Sequence, residues 1–334
     1  MAMSQGPSMM SRRRVCAALL AAAATPDAAF GQGIDGVRRA ARGLNQLHAI
    51  LVQRGDAVIV AEAPRGGGLD RAANIKSCSK SITALILGTA IARGEIRRVS
   101  DSLRTVAPKL IPAKATPGVA AITMEDLVTL RAGLESTSGA GYGGWVQSGN
   151  WVAHALRRPM IDMPGGRMIY STGSTHVLGA AITTATGKSL LTLARERLGA
   201  PLGITVPGWR RDPQGFYFGG NEMSLTPRAM LKLALLMRDR GRFGGAQVIS
   251  QAWIDASLTR RTQSPFSGLH YGYGWFLSES GFVIARGYGG QIIAAHPARG
   301  LAVAITSDPS MPARSEGYFG DLMALLDGPV LALA

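Results

Sequence analysis

The chain has 334 residues, 46% hydrophobic and 17% charged, with 36 Lys and Arg against 21 Asp and Glu for a net charge of +15. This length and apolar content suffice for one large domain or two interleaved ones, and exclude a disordered chain or a disulfide mini-scaffold. The basicity raises polyanions as partners, but the arginines fall in short clusters (12–14, 97–98, 157–158, 210–211, 260–261) without interleaved aromatics or a helical stripe; a solvated basic surface is expected, and no nucleic-acid partner.

At the amino terminus, Ser11-Arg12-Arg13-Arg14 precedes an apolar run over 15–24, and small residues follow at Ala28, Ala29 and Gly31. This order predicts an export signal over residues 1–31 cut at Gly31/Gln32, and the run is too short for a stable membrane span. The adjacent arginines resemble a twin-arginine leader, although Val15-Cys16 departs from its usual continuation; Sec export and a disordered tail stay open as alternatives. The protein is expected to be periplasmic or secreted. Cys16 would leave with the signal, so Cys78 remains alone and no internal disulfide forms. Removal takes three arginines and one aspartate, lowering the net charge only from +15 to +13, so the basicity belongs to the fold.

Residues 48–53 and 57–63 are β-branched runs flanking Arg54-Gly55-Asp56 and predict a hairpin. Residues 77–93 are apolar nearly all round and end at Gly94, which predicts a buried helix. From 99 to 220 the pattern is helical pieces broken by Pro and Gly, at 124–131, 151–156, 174–186 and 190–198. An amphipathic helix follows over 227–240, then closely spaced strands at 273–278, 282–285, 291–296 and 301–306, and a last helix over 316–326. Strands at both ends predict an α+β fold: an antiparallel sheet built from the two termini and flanked by helices, with a mostly helical region inserted. The sheet lobe takes 32–98 and 221–334, the helical lobe 99–220, and a cleft is expected between them.

Several motif matches carry little. Gly139-Ala140-Gly141-Tyr142-Gly143-Gly144 fits a dinucleotide fingerprint but follows a polar turn rather than a strand, and Thr186-Gly187-Lys188-Ser189 lacks the upstream glycine of a phosphate loop, since Ile182 stands there. The five histidines are scattered without a helical pair, so no metal and no cofactor is expected. No G-x-S-x-G elbow occurs.

Ser77-Cys78-Ser79-Lys80 is the only S-x-x-K in the chain. At a helix start, residues i and i+3 share a face, which puts the Ser77 hydroxyl beside the Lys80 ammonium. A lysine desolvated by an apolar helix can lose its proton and serve as base to the serine, and the helix N-terminus favours developing negative charge. The competing reading is a helix cap at Ser77 with Lys80 an ordinary solvated cation.

In this context the chain resembles the serine β-lactamase and penicillin-binding-protein superfamily, and within it the class C-like branch that includes family VIII esterases and 6-aminohexanoate-dimer hydrolases. The resemblance runs from about His48 to Leu326. It is carried by residues 74–81 with Gly94-Glu95-Ile96, by 122–127 leading to Arg131-Ala132-Gly133-Leu134, and by Pro164-Gly165-Gly166 before Tyr170-Ser171-Thr172. Pro201-Leu202-Gly203-Ile204, Phe218-Gly219-Gly220-Asn221 and Tyr271-Gly272-Tyr273-Gly274-Trp275 add to it.

The resemblance implies a β-lactamase-like fold and a serine hydrolase in which Ser77 forms an acyl-enzyme and Lys80 and Tyr170 relay protons in both steps. Backbone N–H groups of Ser77 and Tyr288 would form the oxyanion hole. The family's Lys-Thr-Gly element falls on Ala285-Arg286-Gly287, where Ala285 supplies no cation for a substrate carboxylate and Arg286 alternates to the opposite face of the strand. Thr172 stands where the family has asparagine. Both departures favour small-molecule carboxylic esters or non-lactam amides as substrates, with β-lactamase or D-alanyl-D-alanine peptidase activity, or a catalytically silent peptidoglycan- or partner-binding module, as alternatives. Tyr142, Trp145, Thr172, Trp275, Gly287 and Gln291 are expected to line the substrate pocket.

Overall fold

The computed structural model describes residues 26–334. The expected export signal lies outside the described residues as far as position 25, and the expected cut at Gly31/Gln32 falls within the first helix, α1 (Pro26–Gly43). Phe30, on that helix, packs against the sheet with the Arg54 guanidinium 5.2 Å from its ring centroid.

The hairpin forms as β1 (Leu47–Arg54) and β2 (Ala57–Glu62). The central helix α2 (Ser79–Ala92) follows a single 3-10 turn, Lys76–Cys78. Between it and the next ladder strands lie α3 (Met124–Val128), α4 (Trp151–Leu156), α5 (Thr172–Thr186), α6 (Leu190–Ala194), α7 (Pro227–Arg238) and α8 (Gln251–Ser257), with shorter turns. The chain then lays down β3 (Thr262–Gln263), β4 (His270–Tyr271), β5 (Phe276–Leu277), β6 (Val283–Gly287), β7 (Gln291–His296) and β8 (Leu301–Ser307), and closes with α9 (Tyr318–Leu325). These strands form one eight-stranded antiparallel sheet in the order β2-β1-β8-β7-β6-β5-β4-β3, so the two termini do build it together.

The central strands β7 and β8 are buried at every residue because the sheet is covered there on both faces. On β8, Ala302 and Ala304 face one core cluster while Leu301, Val303 and Ile305 face the other. The small alanines on the first face let α7 lie close over β7 and β8. The opposite face is filled by α1, α9 and the carboxyl-terminal residues. Helix α2 is buried at every residue from Ser79 to Ala90, which explains its lack of a polar face. Its Gly88 admits the Trp253 indole, which a Cβ at 88 would displace.

The expected strand over 273–278 is instead the end of a tight turn from β4 followed by the two-residue β5, Phe276–Leu277. Gly272 donates to the Trp275 carbonyl at 2.9 Å, and Gly274 has φ +78° and packs against Ala84 of α2. Helix α8 was not anticipated; its signal is Ser250, whose hydroxyl accepts the Trp253 N–H. No single helix among the described residues is long and apolar enough to cross a membrane.

Candidate active site

A cleft of about 820 Å³ opens where the 3-10 turn, α5 and the end of β6 meet, and Ser77 lies in its wall. The turn is held from behind: the Lys76 N–H donates to Asn74 Oδ1 at 2.9 Å, and the Lys76 ammonium pairs with Glu222 at 3.3 Å. Lys76 and Glu222 both have left-handed backbones, φ +50° and +62°, a conformation that costs a non-glycine residue roughly 1 kcal/mol. This strain sits directly beside the nucleophile candidate.

Lys80 projects from the first turn of α2 into the space below Ser77. Its Nζ lies 3.1 Å from Ser77 Oγ, 3.2 Å from Thr172 Oγ1 and 2.7 Å from the Gly220 carbonyl oxygen. Ser77 does not cap α2, and Lys80 is 3% exposed, so the alternative of a helix cap with a solvated cation fails. Burial lowers the Lys80 pKa to about 7. Lys80 Nζ donates to all three neighbours, to the Gly220 carbonyl and to the hydroxyl oxygens of Ser77 and Thr172, so the amine is tied directly to the candidate nucleophile.

Tyr170 precedes α5 and turns its hydroxyl towards Ser77. Burial raises its pKa, offset in part by the Ser77 hydroxyl and by the positive charge of Arg286, so the phenol keeps its proton at neutral pH. The Lys80 ammonium lies 5.1 Å from the centre of the Tyr170 ring. The segment is strapped by a turn that sequence reasoning passed over: Ser136 Oγ donates to the Tyr170 carbonyl at 2.7 Å, and Ser138 Oγ accepts the Thr172 N–H at 2.9 Å. Thr172 completes the chain through a 2.9 Å contact between its hydroxyl and that of Ser138.

Gly287 ends β6 against the Ile75 carbonyl, leaving no space for a side chain, and this brings Tyr288 to the cleft opposite Ser77. The backbone N–H groups of Ser77 and Tyr288 make no turn or loop hydrogen bond among the described residues. Of the residues expected at the pocket, Tyr142, Thr172 and Gly287 line the cleft, and so does Tyr288.

Three expected lining residues do not. Trp145 is fully buried, packed tilted or edge-on against Trp151, His176 and Phe218 with its indole N–H on the Trp151 carbonyl. Trp275 is 1% exposed beneath the β4–β5 turn. Gln291 spends both ends of its amide on Ser307 of β8, donating to its carbonyl at 2.8 Å and accepting its N–H at 3.1 Å, so it pins two strands together. Each belongs to the core rather than to a ligand.

Arg286 does leave the face occupied by Ala285, yet at the strand end it still reaches the cleft wall. Its guanidinium lies 3.5 Å from the Phe319 ring centre and donates to Ser315 Oγ and the Ala313 carbonyl. Burial lowers its pKa to about 10. The Cys78 thiol donates to the Gln291 carbonyl at 3.4 Å, and burial pushes its pKa up, so it is an inert neighbour of Ser77.

A serine, a buried lysine and a tyrosine converging at the edge of a two-sided antiparallel sheet define a protein of β-lactamase-like fold. Residues 39–324 match the family model described as Beta-lactamase, and the chain belongs to that family. Among solved structures it is similar to EstCE1, a hydrolase with promiscuous acyltransferase activity, at TM-score 0.74 and 17% identity, covering 90% of this chain and 99% of that one. A penicillin-binding protein homolog from Caulobacter crescentus gives 0.72 at 17% identity, covering 90% and 98%. A D-stereospecific amidohydrolase from Streptomyces sp. gives 0.68 at 18%, covering 85% and 97%. At these identities the likeness is one of fold. No curated protein matches the chain.

Proposed function

We propose that the protein is a serine hydrolase that cleaves carboxylic esters or small amides through an acyl-serine intermediate. The observation that carries this reading is the Lys80 amine 3.1 Å from Ser77 Oγ with its pKa lowered to about 7, beside a tyrosine whose pKa is raised. Lys80 is then the resting base and Tyr170 the acid.

Ser77 Oγ attacks the substrate carbonyl carbon while its proton passes to Lys80 Nζ. The oxyanion is held by the Ser77 and Tyr288 N–H groups. As the tetrahedral adduct collapses, the Tyr170 hydroxyl gives its proton to the leaving oxygen or nitrogen and is recharged from Lys80. Water then attacks the acyl-serine, delivers its proton through the same pair, and Ser77 departs with a proton. A silent binding module would have no use for an amine buried at a desolvation cost against a serine. The absence of a cation at Ala285, which is 1% exposed and faces the core, supports esters and simple amides over β-lactams or D-alanyl-D-alanine peptides.

The reading also includes export of the chain to the periplasm or beyond, which amino-terminal sequencing of the protein recovered from its native compartment tests. For the chemistry, a fluorophosphonate probe and short-chain nitrophenyl esters are the test. Labelling and hydrolysis that vanish in Ser77→Ala, with the fold preserved, are expected. Purified protein that neither labels at Ser77 nor hydrolyses such esters would overturn the proposal, and rapid turnover of a chromogenic cephalosporin would replace it with the β-lactamase reading.

A further inference from the structure

Deep in the helical lobe, away from the cleft, His176 of α5 donates through Nε2 to Asp212 Oδ2 at 2.9 Å, and both side chains are fully buried. The rings of Trp145, Trp151 and Phe218 enclose the imidazole with centroids 5.8, 5.5 and 5.9 Å away. Nδ1 has no hydrogen-bond partner, which fits a ring held by one bond in an apolar box. If the box needed only filling, an apolar side chain would do so without desolvating two polar groups.

What the pair holds is the segment that returns to the nucleophile. The other carboxylate oxygen of Asp212 accepts the N–H groups of Gln214 and Phe216, each at 2.9 Å, folding a turn that the Asp212 N–H closes on the Phe216 carbonyl at 2.8 Å. Among the described residues the only ladder contact in this segment is the isolated bridge between Arg211 and Tyr217. After Phe218 the backbone passes so close to α5 that a Cβ on Gly219 would stand 2.8 Å from the Thr175 carbonyl oxygen. Its next two carbonyls land on α2: Gly219 accepts from Thr83 Oγ1 at 2.5 Å, and Gly220 from Lys80 Nζ at 2.7 Å.

We propose that His176 and Asp212 are a buried positioning pair that fixes the 212–220 segment against α5 and thereby sets where Gly220 presents its carbonyl oxygen to Lys80. The proposal rests on the reading of Lys80 as the base of an acyl-serine hydrolase. The two residues act on the reaction through a backbone acceptor and touch no substrate. Among the described residues Lys80 Nζ donates to Ser77 Oγ, Thr172 Oγ1 and the Gly220 carbonyl, with Tyr170 and Cys78 the titratable groups beside it, and of the three acceptors only the carbonyl carries no proton of its own.

The test uses the full chain in four forms: wild type, His176→Leu, His176→Gln and Asp212→Asn. Fluorophosphonate labelling of Ser77 is followed from pH 5.5 to 9, and hydrogen exchange is read in peptides covering 212–221. The expected result is labelling slowed about tenfold in folded His176→Leu, as a misplaced group would slow it. Its acid limb should move to higher pH as water reaches Lys80, and exchange should quicken over 212–221. His176→Gln, which keeps an N–H for Asp212, should recover most of the rate. Wild-type labelling, pH limb and exchange in folded His176→Leu would overturn the proposal; should that variant not fold, the same result in Asp212→Asn would do so. Wild-type protein that fails to label sinks the acyl-serine reading instead, and the exchange measurement still judges the pair.

Discussion

Gly287 and Ile75 approach so closely that the end of β6 rests directly on the carbonyl before the nucleophile turn. Gly287 directly precedes Tyr288, whose N–H is the second donor of the oxyanion hole proposed above, so this contact bears on where that donor stands relative to Ser77. Gly287→Ala should therefore push the strand away, costing on the order of 1–3 kcal/mol in stability from overpacking and roughly tenfold or more in kcat through a widened oxyanion hole. Ester hydrolysis with parallel urea unfolding would separate the two losses.

Lys80 supplies a pH signature. As the base proposed above it would act when neutral, so the rate of Ser77 acylation should rise with pH through about 7 and then level. The same shift acts on stability. The folded pKa lies below the unfolded one, so the unfolded chain binds more protons between pH 7 and about 10.5, and stability climbs with pH across that window by at most about 1.4 kcal/mol per unit. Lys80→Met should lose acylation and also lose this climb, seen as a flatter difference between urea midpoints at pH 7 and 9.

Tyr170→Phe keeps the ring beneath Lys80 and removes only the proton that would go to the leaving group. A fall in kcat of about 10²-fold is expected, with the fold intact. Substrates with very acidic alcohols should suffer least, because they depart without protonation. Equal losses across a series of leaving groups would argue against this role.

Remote from the cleft, Arg197 grips both oxygens of Glu95 at 2.7 and 2.6 Å and adds Thr89 at 3.2 Å, with its own side chain 5% exposed. Removing the carboxylate strands a buried guanidinium. Glu95→Ala should destabilise by about 2–4 kcal/mol while leaving kcat near wild type well below the melting temperature, as thermal unfolding and ester assays would report.

The parts of this architecture written in side-chain pattern were legible from residues alone. The hairpin around Arg54-Gly55-Asp56, the all-round apolar helix after Ser77 and the pairing of Ser77 with Lys80 rest on local periodicity and helix geometry, whereas Tyr170 comes only through the resemblance to the β-lactamase superfamily. The parts written in backbone were not. Nothing in the residue type at Gly220 announces that its carbonyl receives the lysine, because every residue carries such an oxygen. The aromatics mislead for a related reason: Trp145 and Trp275 have the composition of pocket walls, but only tertiary packing decides that they fill the core. Arg286 shows the limit of alternation, since a long side chain at the end of a strand can point away from its neighbour Ala285 and still reach the cleft.

The pairing of β1 with β8 joins Leu47 to Ser307, near opposite ends of the described chain. Contacts of such separation form late, because the loop must close before the ladder rewards it. During synthesis the β1 edge of the first hairpin thus stays open until the last strand, β8, has emerged, and only then can β1 move from the margin of the sheet to its interior. A chain truncated before residue 301 would retain the nucleophile, the lysine and the tyrosine yet have no strand to seal that edge, and aggregation rather than a smaller active enzyme is what its topology dictates.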